Sequence, residues 1–240
     1  MAPAAHTPPG RRLLLVNPNT SATITERLAL SARPHLPAGT TLTALTATEG
    51  PAAVRSPDQL AAAGARVLAM AQAHQADHDA VIVGISLDCG LAATRAALAP
   101  RPVLGMTEAA CLMASLSGPR FALLTLGAAM ADSYRDHVQA LGFGPRLLGV
   151  AAPEAPEAFG APAAAVLPPV LDTLTEAVRP LCAAGAHSVV LAGAVLCGYA
   201  PALSERLGLP VFDGVACATR LVHTHWALTA GQPASSPACA

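Results

Sequence analysis

Three strand-like segments of this chain recur at one fixed spacing of 108 residues. "RLLLVN" begins at Arg12 and "RFALLT" at Arg120; "VIVGISLDCG" begins at Val81 and "VVLAGAVLCG" at Val189; "PVLGM" begins at Pro102 and "PVFDG" at Pro210. Insertions and deletions destroy such a register quickly, so its survival in three segments reads as two copies of one unit. A chain of 240 residues has room for two such α/β units, each with its own core.

Within each copy, strand and helix patterns alternate. Leu13 to Val16 is a short apolar run stopped by Asn17 and Pro18, and "TSATITERLALSA" follows with Ile24, Leu28 and Leu30 at helical spacing. Thr40 to Thr46 reads as a strand, and a Ser-Pro pair opens a helix from about Asp58 to Ala73. "DAVIVGIS" is continuously apolar, as a strand covered on both faces must be. The pattern predicts an α/β fold of two similar units with parallel sheets, related by a pseudo-two-fold axis, with the active site in the cleft between them. The first unit is expected over 12–117 together with about 209–228, packing across the halves, and the second over 118–208. Residues 1–11 and 229–240 are expected to be flexible tails.

Composition removes several function classes. A net charge of -1 leaves no basic field for nucleic acid, and 3% aromatic residues leave no stacking platform for single strands. The longest apolar runs, such as Val189 to Cys197, fall short of the roughly 18 to 20 residues of a membrane span. The apolar run after Arg12 is also too short for a secretory signal. Six cysteines without a C-x-x-C pair suit free thiols and a cytoplasmic setting.

Ligands of open parallel sheets bind beyond the carboxyl ends of the strands, so equivalent loops of the two units face one another there. Cys89 and Cys197 are 108 residues apart in such loops, and each is followed by a glycine, Gly90 or Gly198, and a helix-compatible segment. A thiol at a helix N-terminus can act as a base while a protonated thiol opposite acts as the acid. Cys89 and Cys197 are therefore the expected catalytic pair, with Gly90 and Gly198 beside the substrate. Cys111, Cys182 and Cys217 read as core residues, and Cys239 lies in a tail rich in Pro, Ala and Ser.

The other candidates also sit at strand ends. Asn17, with Asn19, Thr20 and Ser21, could hold a carboxylate or ring carbonyl, although a turn with a helix cap explains the same residues. Thr125 is the repeat partner of Asn17. Ser86 and Thr107 read either as substrate-binding hydroxyls or as loop and capping residues. Glu108 reads as a helix-start carboxylate, and Asp88 as a neighbour that would raise the Cys89 pKa or as an outward turn residue. In "HQADHDA", His74 and His78 share a helical spacing, but the segment reads as a solvated helix end, and no metal site is assigned.

Together these segments carry a resemblance. "NPNTSATIT" from Asn17, "TEGP" from Thr48, "DCGL" around Cys89, "PVLGMTEAA" from Pro102, "RFALLTLG" from Arg120 and "LPVFDGVACATRL" from Leu209 occur in the same order as in the aspartate/glutamate/hydantoin racemase superfamily. Across residues 12–228 the chain is most similar to its hydantoin racemase branch. The resemblance implies two similar α/β domains, no cofactor, and deprotonation and reprotonation by two thiols next to a carbonyl. It also implies thiols at the positions that Ile85 and Ala194 occupy here, so that Cys89 and Cys197 are displaced.

Three functions stay open on this reading. One is a cofactor-independent racemase or isomerase acting on a hydantoin-type cyclic amide or amino-acid derivative. The second is a cysteine-dependent or metal-assisted lyase or hydrolase on a related ring, such as a thiohydantoin desulfhydrase or a decarboxylase. The third is a non-catalytic small-molecule binding protein. The expected partners are a small-molecule substrate and, from weakly charged apolar helices such as Ala61 to Ala73, further copies of the chain in a homo-oligomer.

Overall fold

The structure is a computed structural model that describes residues 10–230. Most of both expected tails, and Cys239 with them, lies outside the described residues. The first half runs β1 (Arg12–Asn17), α1 (Ala22–Ala32), β2 (Thr41–Thr46), α2 (Leu60–Ala73), β3 (Ala80–Val83), α3 (Leu91–Leu98), β4 (Val103–Gly105) and α4 (Met106–Leu116). The second runs β5 (Phe121–Leu124), α5 (Ala131–Ala140), β6 (Leu147–Ala151), α6 (Pro168–Ala183), β7 (Val189–Leu191), α7 (Ala200–Leu207), β8 (Val211–Asp213) and α8 (Gly214–Thr229).

The strands form two four-stranded sheets, ordered β2-β1-β3-β4 and β6-β5-β7-β8, with every pairing parallel. The shared order follows the repeat register, since β1, β3 and β4 correspond to β5, β7 and β8. All residues of β3 and β5 are buried, which is why their sequences run apolar without alternation. Two of the helices start at a side-chain cap. Ser21 Oγ accepts from Ile24 N at the start of α1, and Asp213 Oδ1 accepts from Val215 N and Ala216 N at the start of α8.

The last helix of each half lies on the sheet of the other. Ala110, Cys111 and Ala114 of α4 pack with Phe121, Leu123 and Val190 of the second sheet. Cys217, Ala218, Val222 and Trp226 of α8 pack with Leu13, Ala80 and Ile82 of the first. The helices cross so closely that a Cβ on Gly214 would lie 2.4 Å from the Met106 carbonyl oxygen, a contact only glycine avoids. Arg27 adds a polar tie. Its buried guanidinium, on α1, donates to the carbonyls of Pro162 at 2.7 Å, Ala165 at 3.1 Å and Cys197 at 3.2 Å.

This exchange divides the segment that the sequence groups with the first unit. Of residues 209–228, Val211–Asp213 is β8, hydrogen-bonded beside β7 in the second sheet, and only α8 lies on the first. Likewise α4, grouped with the first unit, covers the second sheet. The grouping has α8 crossing to the first half but carries β8 with it and leaves α4 behind, because sequence spacing alone does not separate a strand from the helix that follows it. No described helix is long and apolar enough to cross a membrane.

Candidate active site

The loops after β1, β3, β5 and β7 converge on one cavity of about 250 Å³ between the halves. Asn19 comes from the first loop, Gly84 to Leu87 from the second, Thr125 to Gly127 from the third and Gly193 to Val195 from the fourth. Ile24, Ile85, Met130 and Val195 give it apolar walls, and Phe159 and Arg55 lie toward solvent. The Arg55 guanidinium stacks on the Phe159 ring with 3.8 Å to its centroid, so the two halves also meet at the rim. A cavity of this size suits a small ring.

Its polar centre is a cluster of hydroxyls drawn from both halves. Ser86 Oγ lies 2.5 Å from the Tyr134 hydroxyl, and the phenol also hydrogen-bonds with the Thr125 side chain. All three residues are buried. Burial pushes the Tyr134 phenol up, Asp88 and Cys89 push it the same way, and the bonds to Ser86 and Thr125 offset this only in part. The phenol therefore stays protonated at neutral pH and is a hydrogen-bond donor. Asn19 Oδ1 accepts from Asn17 Nδ2 and Ser21 N, while the Asn19 amide N–H groups have no acceptor among the described residues and line the cleft. Ionised groups stay at the rim, where Arg55 and Glu154 are exposed and Glu154 accepts from Ala128 N.

Ser86 and Thr125 thus stand in the cleft, and the other sequence candidates do not. Asn17 spends its side chain on the loop that holds Asn19: Nδ2 donates to Asn19 Oδ1 and Thr25 Oγ1, and Oδ1 accepts from Asn19 N. Thr107 is buried behind Ser86, and its hydroxyl donates to the Ser86 carbonyl. Gly90 takes a left-handed φ of 78° where α3 passes α2, and a Cβ there would meet the Gly64 carbonyl oxygen at 2.4 Å. Gly198 donates its N–H to Asp213 Oδ2 beside a different depression.

Neither expected thiol lines the cleft. Cys197 is buried among Leu15, Ile24, Leu28, Met106 and Val215, and burial, reinforced by Asp213, pushes its thiol up. Cys89 packs beneath the cleft between two apolar clusters and opens on a separate groove with His137 and Ser133. Burial and Asp88 push it up to about 11. The physical reason is local. The loops after β3 and β7 each make a tight turn before the cysteine, with Asp88 N bonded to Ile85 O and Leu196 N to Gly193 O. The turns put Ile85 and Ala194, not the thiols, into the cavity. His74 and His78 each turn Nδ1 to a backbone carbonyl, of Met70 and His74 respectively. Among the described residues no three His, Cys, Asp or Glu side chains converge on a metal position.

Sequence reasoning passed over Tyr134 and His137. The available signal was scarcity: Tyr134 is one of two tyrosines in an aromatic-poor chain. Asp88, read as a neighbour of the thiol, instead ties three elements. It accepts from Thr107 N at 3.1 Å, Glu108 N at 2.9 Å and His137 Nε2 at 3.0 Å.

Two equivalent parallel α/β halves, closed over a small cleft at their strand ends, define the structural class of this protein. A family model described as Asp/Glu/Hydantoin racemase matches residues 13–222, and the chain belongs to that family, among enzymes of the racemase and isomerase type. It is 30% identical to a hydantoin racemase of Paenarthrobacter aurescens over 220 residues, 90% of this chain and 92% of that one. Among solved structures it is similar to the allantoin racemase of Pseudomonas fluorescens, with a TM-score of 0.81 and 24% identity over 95% of this chain and all of that one. It is also similar to the allantoin racemase of Klebsiella pneumoniae, with a TM-score of 0.76 and 28% identity over 94% of this chain and 91% of that one.

Proposed function

We propose that this chain binds a five-membered cyclic amide of the hydantoin type in the cleft and promotes exchange of the proton on the carbon next to a ring carbonyl. The observation that carries the reading is the cluster of Ser86, Tyr134 and Thr125 hydroxyls in an otherwise apolar, ring-sized cavity. When the C–H bond breaks, its electron pair moves onto the carbonyl oxygen. Donors fixed around that oxygen stabilise the enolate and lower the barrier. Asn19 is placed to bind a second ring carbonyl.

The proton acceptor in this reading is Glu154, the one carboxylate among the lining residues. A proton returning from solvent to either face of the planar enolate gives the racemate. Cys89 and Cys197 have no part in it, because neither lines the cavity and both thiols are pushed up by burial.

One feature favours a second reading. Ile85 and Ala194 put apolar walls where a base on either face of the ring would stand, and loss of carbon dioxide from a carboxylate carried on the carbon next to a carbonyl forms the same enolate without any base. The test is an optically active 5-methylhydantoin incubated in deuterium oxide with the protein, followed by proton NMR and optical rotation. Loss of the C5 proton signal together with rotation is expected. Binding without exchange would overturn the racemisation step, and absence of both binding and exchange across a hydantoin panel would overturn the substrate class as well.

A further inference from the structure

Helix α5 sends two side chains, one turn apart, onto a single loop of the other half. The Tyr134 hydroxyl meets Ser86 Oγ, and His137 Nε2 meets Asp88 Oδ2 at 3.0 Å. Residues three apart on a helix share a face, so whatever holds one fixes the other.

The loop they meet is itself held. The Asp88 side chain has no solvent exposure, and its two oxygens take the first N–H groups of α4, from Thr107 and Glu108. Asp88 pays for this with a left-handed φ of 49°, which a non-glycine residue keeps only when its surroundings hold it there. The Thr107 hydroxyl then returns to the Ser86 carbonyl. His137, Asp88, Thr107, Ser86 and Tyr134 therefore form a closed circuit that crosses the interface twice. Within α5 only Tyr134 and Val138 are buried, so the helix has a narrow apolar hold and His137 supplies a polar one.

We infer that His137, anchored on Asp88, is a positioning residue that sets the Tyr134 phenol against Ser86 in the cleft. It lines the outer groove and not the cleft, so it acts on a ligand through Tyr134 alone. The functional consequence rests on the reading of the cleft as the enolate site, but the position of the phenol can be measured without any ligand.

The chain has two tyrosines, Tyr134 and Tyr199, so ring-carbon-labelled tyrosine gives two NMR signals, which Tyr134→Phe assigns. His137→Met removes the donor to Asp88 at similar length, and His137→Gln keeps one. The Tyr134 signal is expected to move in His137→Met and return in His137→Gln, with binding of 5-methylhydantoin weakened about tenfold in the first and restored in the second. Thermal melts show that each variant is folded. If His137→Met does not fold, His137→Ala with and without added imidazole makes the same comparison. A Tyr134 signal that stays put in a folded donor-free variant, or that moves equally in His137→Gln, overturns the inference. Unchanged hydantoin binding in Ser86→Ala would overturn the cleft reading instead, leaving the tyrosine signal to decide on His137.

Discussion

Ser86 Oγ, in the loop after β3 of one half, lies 2.5 Å from the Tyr134 hydroxyl, on a helix of the other. The pair is a direct polar contact across the floor of the cleft, and it exists only when the halves are closed on each other. Removing either member should cost turnover more than stability. Tyr134→Phe keeps the ring and loses the donor, and Ser86→Ala loses its partner. Each is expected to slow hydantoin proton exchange by about 100- to 1,000-fold, the usual effect of deleting one oxyanion donor, while the thermal midpoint moves little. Exchange in deuterium oxide, measured beside a melting curve, separates the two effects.

Cys89→Ser should keep most of the exchange activity, since the thiol lies outside the cleft. Its ionisation gives a second check. With the Cys89 pKa raised from 9.0 to about 11, the thiolate at pH 8 is about 100-fold scarcer than in an unshifted thiol, and the thiolate is what reacts. Iodoacetamide should label Cys89 in the folded chain correspondingly slowly at pH 8, and labelling in urea should be fast. The sign for stability follows. A folded pKa above the unfolded one gives a contribution that is complete below about pH 9 and lost as pH rises toward 11. Mass spectrometry of labelled peptides and urea titrations across that range would read both.

Placing thiols on the two apolar walls should add an acid and a base to the rim carboxylate, Glu154. The double substitution Ile85→Cys and Ala194→Cys puts an acid and a base at positions that line the cavity. Positioned acid–base groups contribute about 100- to 10,000-fold, so hydantoin exchange is expected to rise by at least about 100-fold and to gain a dependence on thiol ionisation. A rate equal to that of the parent would show that these walls do not face the reacting carbon.

The repeat makes the architecture legible in the sequence itself. Equal spacing of Arg12 and Arg120, and of Val81 and Val189, anticipates two sheets of the same strand order, because strands buried on both faces tolerate few insertions. Ser86 and Thr125 were legible as cleft residues for the same reason, each lying just past an equivalent strand. The thiols lie outside the cleft lining because sequence register fixes which loop a residue belongs to, not which way it points. Cys89 and Cys197 share a register, but tight turns at Ile85 and Gly193 rotate them away. Scarcity was the one signal for Tyr134 and His137 had none, since their contacts with Ser86 and Asp88 join a helix of one half to a loop of the other, and no local pattern encodes that.

The exchange of α4 and α8 makes the two halves unequal to the word domain. Each sheet takes one of its covering helices from across the exchange, so a break between β4 and α4 or between β8 and α8 would part α8 from the first sheet and expose that sheet's apolar face. The cleft is consequently framed by a scaffold whose parts cannot drift far apart without unpacking their own cores. Access to it has to come from the rim, where Arg55 rests on Phe159, and not from swinging the halves open.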